Sequence, residues 1–311
     1  MTRLWADLAL GLTGLIWGFG FVAQKDGLNH VGPFTYVAAR FLISALVVLP
    51  LVFHEKGFGQ FKVAILKSKN TVGNILALCA AFGGAVIIQQ YGLTATSVTH
   101  AAFLTGLYVV MVPFVAFLFY RHKLSTVVVI ASLLSFFGVW LLSGGNIHDI
   151  ENFRFGFGDR LILLCALCFA LQVAMMGHTV ELVRAPFALS FLQYLMTGIV
   201  ALVLAVTYEH IRLAALLQAW IPILYAGLAS GGIAYTLQAI AQQHTPSSDA
   251  AIILSTESLF GGLGGVWLLK ERLTPEGMFG CGAIMFAVVL VELGPLLKWG
   301  RKLRTRKAAA G

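Results

Sequence analysis

PFTYVAARFLISALVVLPLVF, residues 33–53, is an apolar run of membrane-crossing length interrupted by a single charged side chain, Arg40. An α-helix needs about 20 residues to cross a hydrocarbon core of about 30 Å. Similar runs lie at about residues 5–24, 73–91, 97–119, 124–143, 159–178, 186–207, 217–240, 246–269 and 275–295. Hydrophobic residues make up 59% of the chain and charged ones 11%, where a soluble domain carries about 25% charged residues, so a water-soluble core does not fit. Backbone polar groups find no water in lipid, which leaves helices or a closed barrel, and long apolar runs without alternation select helices. The expected fold class is an all-α integral membrane protein of ten transmembrane helices in two sets of five. Because five is odd, the second set enters the membrane inverted. The first run contains Asp7 and Trp17 and lacks an A-x-A-like cleavage site, so it is expected to stay as a helix.

Orientation follows from the loops, because positive residues are retained on the cytoplasmic side. With the N-terminus inside, cytoplasmic segments hold Arg3, Lys56, Lys62, Lys67, Lys69, Arg121, Lys123, Arg184, Lys298, Arg301, Lys302, Arg304, Arg306 and Lys307. The outside receives only Lys25, Arg154, Arg160, Arg212, Lys270 and Arg272. Both ends are thus expected in the cytoplasm. The net charge of +8 comes largely from the basic tail, 296–311, which suits anionic lipid headgroups and topology anchoring rather than nucleic acid. The connecting segments, the longest being 54–72 and 144–158, leave no room for a soluble module, so the chemistry must lie within the helix bundle.

The two sets can be aligned residue by residue. Arg121, His122, Lys123, Leu124 and Ser125 match Lys270, Glu271, Arg272, Leu273 and Thr274 at an offset of 149. The same register pairs His100 with Asp249, Tyr108 with Glu257 and Gln89 with Gln238. Nearer the start, Asp7 pairs with Asp159 and Pro33-Phe34 with Pro186-Phe187, placing Arg40 opposite Gln193 at an offset of 153. The expected organisation is a first five-helix repeat over 5–143 and a second over 159–295. A pseudo-two-fold axis would then lie in the membrane plane, with a substrate site near the midplane between the halves.

Leu15-Ile16-Trp17-Gly18-Phe19-Gly20-Phe21-Val22-Ala23-Gln24-Lys25 resembles the opening of an EamA domain of the drug/metabolite transporter superfamily. Ala39-Arg40-Phe41-Leu42 is similar to its second-helix signature. Leu254-Ser255-Thr256-Glu257, with Trp267-Leu268-Leu269-Lys270-Glu271-Arg272-Leu273-Thr274, is similar to its ninth-helix pattern. The resemblance covers nearly the whole chain as two domains. It implies a bacterial-type inner-membrane permease moving amino acids, other metabolites or drugs outward. Where the family often has proline after the glutamate, Ser258 follows Glu257, and the first half has Tyr108 and Val109 at that pair, which argues against a helix break there.

Intramembrane polar residues carry the site expectations. Glu257 lies about midway along the ninth run, where an ionisable side chain left facing lipid costs at least about 2.5–3.5 kcal/mol. It must face protein or water, where it can exchange a proton, bind an ammonium group or make a structural hydrogen bond. Arg40, two turns into the second run, can bind a carboxylate bidentately, pair with protein groups or snorkel to an interface. Gln89 and Gln238 occupy repeat-related positions and are expected to line the substrate pathway, with Tyr108 in the slot related to Glu257 and Trp17 as an aromatic wall. Lys25 closes the first run as an interfacial anchor or candidate gate. Gly14/Gly18 and Gly261/Gly265 have the spacing of close helix seams. His100 and His178 fall near run ends and read as interfacial.

Other function classes fit less well. The chain has no H-E-x-x-H pair, no G-x-S-x-G elbow and no G-x-x-x-x-G-K-[ST] loop, which argues against an enzyme or a self-contained ATP-driven pump. Cys79, Cys165, Cys168 and Cys281 all fall inside apolar runs and read as packing residues. No metal or cofactor is expected. The expected partners are a small-molecule substrate, the lipid bilayer and a coupling proton, with a monomer sufficient for the pathway. A nonenzymatic receptor or scaffold is the competing class.

Overall fold

The computed structural model describes residues 1–67, 70–96, 98–121, 124–142, 156–268 and 275–308. The remaining stretches include His122, Lys123 and 269–274, so the loop-end matches of the repeat alignment lie outside the described residues. Among the described residues every regular element is helical. Six helical segments are long and apolar enough to cross a membrane. They are Arg3–Leu28, Pro33–His54, Asn70–Gly92, Phe157–Val183, Pro186–Tyr208 and Trp220–Ala241. Large apolar side chains also point outward, as at Phe119 (62% exposed), Val206 (69%) and Phe279 (75%). An unpartnered apolar exterior of this kind is the face a bilayer requires.

In chain order the helices are α1 (Arg3–Leu28), α2 (Pro33–His54), α3 (Gly57–Lys67), α4 (Asn70–Gly92), α5 (Val98–Gly106), α6 (Tyr108–Tyr120), α7 (Thr126–Leu142), α8 (Phe157–Val183) and α9 (Pro186–Tyr208). There follow α10 (Leu213–Gln218), α11 (Trp220–Leu224), a π-helical segment (Tyr225–Tyr235), α12 (Thr236–Ala241), α13 (Ser247–Leu254), α14 (Thr256–Leu268) and α15 (Pro275–Ala308). The main packing pairs are α2 with α9, α4 with α8, α7 with α15, and α1 with α14. The segment 54–72, expected as a plain connection, contains α3, whose Phe58 stacks edge-on against Phe53 and Phe191.

The fourth and ninth apolar runs are both broken, the fourth at Leu107 between α5 and α6, the ninth at Ser255 between α13 and α14. The missing prolines disfavoured a break here, and the backbone stays right-handed at both positions, with φ −57° and ψ −22° at Leu107 and φ −61° and ψ −13° at Ser255, so each interruption is a single tightened turn. The physical reason is visible at the second break. Ser255 Oγ donates to Ile252 O at 2.6 Å and Thr256 Oγ1 donates to Ile253 O at 2.7 Å. Hydroxyls that bond back to the preceding turn compete with the helical ladder, so two of them in sequence replace a proline.

Glycine decides how closely α1 and α14 approach. A Cβ on Gly18 would sit 2.7 Å from both Glu257 O and Gly261 N, so no side chain fits between the two backbones. The expected Gly14/Gly18 seam thus faces residues 256–261.

Two carboxylates cap helices across the α2/α9 pair. Glu209, just beyond α9, accepts hydrogen bonds from the backbone N–H groups of Phe34 and Thr35, both at 2.8 Å, and from Thr35 Oγ1 at 2.6 Å. Glu55, just beyond α2, accepts from the backbone N–H groups of Phe187 at 3.5 Å and Ala188 at 3.2 Å. Each places negative charge where a helix N-terminus leaves its donors unpaired. The two caps are related by nearly the same offset that pairs Pro33-Phe34 with Pro186-Phe187.

Candidate functional site

The α1/α14 seam, α2, α4, the α5/α6 break, α8 and the π-helical segment surround a cavity at the centre of the bundle. The cavity has a volume of about 30 Å³. Trp17, Arg40, Gln89, Tyr108 and Glu257 all line it. The sequence expectation therefore names five residues, from α1, α2, α4, α6 and α14, that the fold brings to one place.

Arg40 is 3% exposed. Its Nη2 donates to Ser230 Oγ at 2.8 Å, and its guanidinium carbon lies 4.7 Å from the centre of the Phe41 ring. Its Nε is buried without a hydrogen-bond partner. A guanidinium removed from water, held by one neutral hydroxyl and one ring, retains unused donor capacity and an uncompensated charge. No salt bridge joins it to Glu257, the acidic residue lining the same cavity. Glu257 is 5% exposed, and Tyr108 is the neighbour that faces its carboxyl group. The Tyr108 hydroxyl is its hydrogen-bonding neighbour, at a looser geometry than the other bonds of the site.

The π-helical segment positions Ser230. A π turn is wider than an α turn and offers its carbonyls to partners outside the helix. Three of them are taken by side chains: Ser44 Oγ donates to Gly227 O at 2.8 Å, Trp17 Nε1 to Ser230 O at 3.3 Å and Thr13 Oγ1 to Ala234 O at 3.1 Å. Trp17 is thus fixed by its ring nitrogen, and its ring packs 4.4 Å from that of Tyr235. Behind it Phe41, Phe82 and Tyr235 form an aromatic cluster, with Phe82 edge-on to Tyr235 at 4.8 Å. The wall is therefore apolar on one side and hydrogen-bonding on the other.

The amides divide. Gln89 faces the cavity and donates to Thr105 Oγ1 at 3.2 Å. Gln238 stands behind the wall, exchanging two hydrogen bonds with Gln172 at 3.3 and 3.4 Å, and it is Gln172 that meets the cavity. Lys25 lies apart from the cavity, its Nζ donating to Leu93 O at 3.4 Å, which ties the end of α1 to the connection after α4. His178 stacks on Tyr120 with ring centres 4.5 Å apart, and the side chain of His100 lies outside the described residues. Among the described residues no group of three or more His, Cys, Asp or Glu side chains converges as a metal site. Sequence reasoning missed Ser230, Thr105 and Gln24, small or neutral polar residues whose role comes from what faces them. The only local signal for Ser230 is its place in the Gly-rich stretch 227–232.

The family model described as "EamA-like transporter family" matches residues 4–144 and 156–293. An "Uncharacterized transporter" of Archaeoglobus fulgidus is 35% identical over 294 residues, covering 94% of this chain and 87% of that protein. A solved structure described only as "Crystal structure of protein" superposes with a TM-score of 0.76 at 15% identity, covering 94% of this chain and 98% of the other, a likeness of fold alone.

Proposed function

This chain belongs to the EamA-like transporter family, a multi-pass membrane transporter, and on that premise we propose that it exports small metabolites such as amino acids or drugs by alternating access around the central cavity. The proposed architecture is ten spans in two inverted five-helix repeats, 5–143 and 159–295, counting each broken pair, α5/α6 and α13/α14, as one span. The paired interruptions and the reciprocal Glu55 and Glu209 caps support it, since both recur within one residue of repeat-related positions. The chain is proposed to sit in a bacterial inner membrane with both termini cytoplasmic, the basic tail 296–311 resting against lipid headgroups.

The observation that carries the site assignment is that Arg40 and Glu257 line one cavity without forming an ion pair with each other. An arginine and a carboxyl group that share a low-dielectric space without meeting favour a ligand that supplies a partner to each. Arg40 binds a carboxylate, Glu257 an ammonium group or a coupling proton, and Trp17 with Tyr235 the apolar part. Gln89 and Gln172 orient the ligand by hydrogen bonds, with Gln238 holding Gln172. Lys25 serves as an anchor at its end of the bundle.

The test is uptake of a radiolabelled amino-acid and metabolite panel into sealed proteoliposomes, comparing wild type with Glu257→Gln with and without a proton gradient. Substrate-specific flux is expected, with gradient stimulation lost in the variant if Glu257 carries the coupling proton. Gradient-independent flux in both proteins would reduce Glu257 to a structural or ligand-binding role. Ligand binding without flux would instead favour a receptor.

A further inference from the structure

Beyond the cavity, each end of the bundle carries a contact between a carboxylate at the start of one half's first helix and a threonine in the other half's third-to-fourth connection. At the end bearing the N-terminus, Thr245 Oγ1 donates to Asp7 Oδ1 at 2.6 Å, and Arg3 joins the cluster through Asp249 at 2.7 Å and Asp7 at 3.4 Å. At the opposite end Thr96 Oγ1 donates to Asp159 Oδ1, while the Gly156 N–H holds the second carboxylate oxygen at 2.9 Å. Asp7 and Asp159 are repeat-related, and Thr96 and Thr245 share the 149-residue offset. The same donor–acceptor pair is therefore built twice, on opposite ends, each time joining the two halves.

Their spacing from the cavity is also equal. Trp17 follows Asp7 by ten residues and Phe169 follows Asp159 by ten, and both line the cavity. At about 1.5 Å per helical residue, each carboxylate lies about 15 Å from the cavity wall along its own helix, in opposite directions. All four partners are buried or partly buried, so their hydrogen bonds are little weakened by water.

We infer that Asp7–Thr245 and Asp159–Thr96 are the two gates of the transport cycle, opened in alternation. This rests on the alternating-access reading. Opening a path to one end requires the halves to part there, which breaks that end's contact while the other holds. A hydrogen bond to a charged group is strong enough to bias a two-state equilibrium about ten-fold or more, yet is a single contact that thermal motion breaks reversibly.

The test uses a reporter thiol, Thr105→Cys, in a protein whose Cys79, Cys165, Cys168 and Cys281 are replaced by alanine. A small charged methanethiosulfonate is added to sealed vesicles of either orientation, and the ratio of labelling rates from the two faces is measured. Thr245→Ala is expected to raise labelling from the N-terminal face, relative to the other, by about ten-fold, and Thr96→Ala to move the ratio as far the other way. Thr94→Ala, an exposed hydroxyl in the same connection as Thr96, should leave the ratio unchanged. Should an alanine variant not fold, the paired cysteines Asp7→Cys/Thr245→Cys and Thr96→Cys/Asp159→Cys test the same gates. Oxidation should silence labelling from the locked face and reductant should restore it. A ratio that both alanine variants leave alone or move in the same direction, or a cross-linked protein still labelled from its locked face, overturns the gates while alternating access stands. Labelling from one face only in every variant would remove alternating access, and the gates with it.

Discussion

Neutralising Glu209 should destabilise the protein far more than neutralising its repeat-related partner, Glu55. In Glu209→Gln the side chain keeps its shape and one acceptor oxygen but loses the charge that draws two backbone N–H groups at 2.8 Å and a hydroxyl at 2.6 Å. Hydrogen bonds to a charged group contribute about 1.5–3 kcal/mol each, and because one acceptor survives, the net loss should be about 2 kcal/mol. Glu55 makes longer contacts, 3.2 and 3.5 Å, and its burial outweighs them, pushing its carboxyl above the usual carboxylate range. A group whose proton is held more tightly in the folded state contributes most below its unfolded pKa and loses that contribution as pH rises through the raised one. At neutral pH, with the side chain half-exposed, Glu55→Gln should therefore change stability by no more than about 0.5 kcal/mol, and wild type should lose ground to this variant as pH rises from acid. The assay is thermal unfolding in detergent, read by a thiol-reactive dye that reports exposure of the buried Cys79 and Cys165. At about 2–4 °C per kcal/mol, Glu209→Gln should lower the midpoint by about 4–8 °C. A Glu55→Gln midpoint that falls as far or farther would refute the reasoning.

Other expectations are equally direct. Arg40→Lys keeps the charge but loses the planar fork, so proteoliposome uptake of a carboxylate-bearing substrate should fall about ten-fold while the protein still elutes as folded. Gly18→Ala drives a methyl group against the Glu257 and Gly261 backbones and should cost about 1–3 kcal/mol in the same thermal assay. Gly261→Ala should cost less, since its Cβ would lie 3.6 Å from Gly18 O. A double-mutant cycle of Gln172→Leu and Gln238→Leu should return a coupling of about 0.6 kcal/mol, the usual worth of a hydrogen bond between membrane helices.

Much of the site is legible in the sequence because charge and polarity are scarce in it. Arg40 and Glu257 stand out against apolar neighbours, since a charged group facing lipid is costly wherever it falls in the fold. Gln89 and Tyr108 follow from the repeat, and Trp17 from its aromatic side chain within the first run. Gln238 was expected to face the cavity beside Gln89, but the structure sets it one layer back, against Gln172. Repeat symmetry relates backbone positions, and the π-helical segment in one half has no like segment in α4, so side chains at matched positions turn differently. The break at Ser255 was masked for a related reason: proline announces itself in one letter, whereas hydroxyls that bond back to Ile252 and Ile253 look like any Ser-Thr pair.

Local composition alone determined that this chain spans a membrane as helices, and that its polar residues at mid-span had to face inward. Those outcomes depend on each residue's own transfer energy between water and lipid, which a sequence carries in full. Which polar residues meet was decided by tertiary structure: Arg40 on Ser230, Glu209 on the start of α2, Thr245 on Asp7 and Thr96 on Asp159. These partners are separated by long stretches of chain, and their hydrogen bonds depend on angstrom-scale approach that only the packed helices, with their glycine seam and π-helical turn, can set.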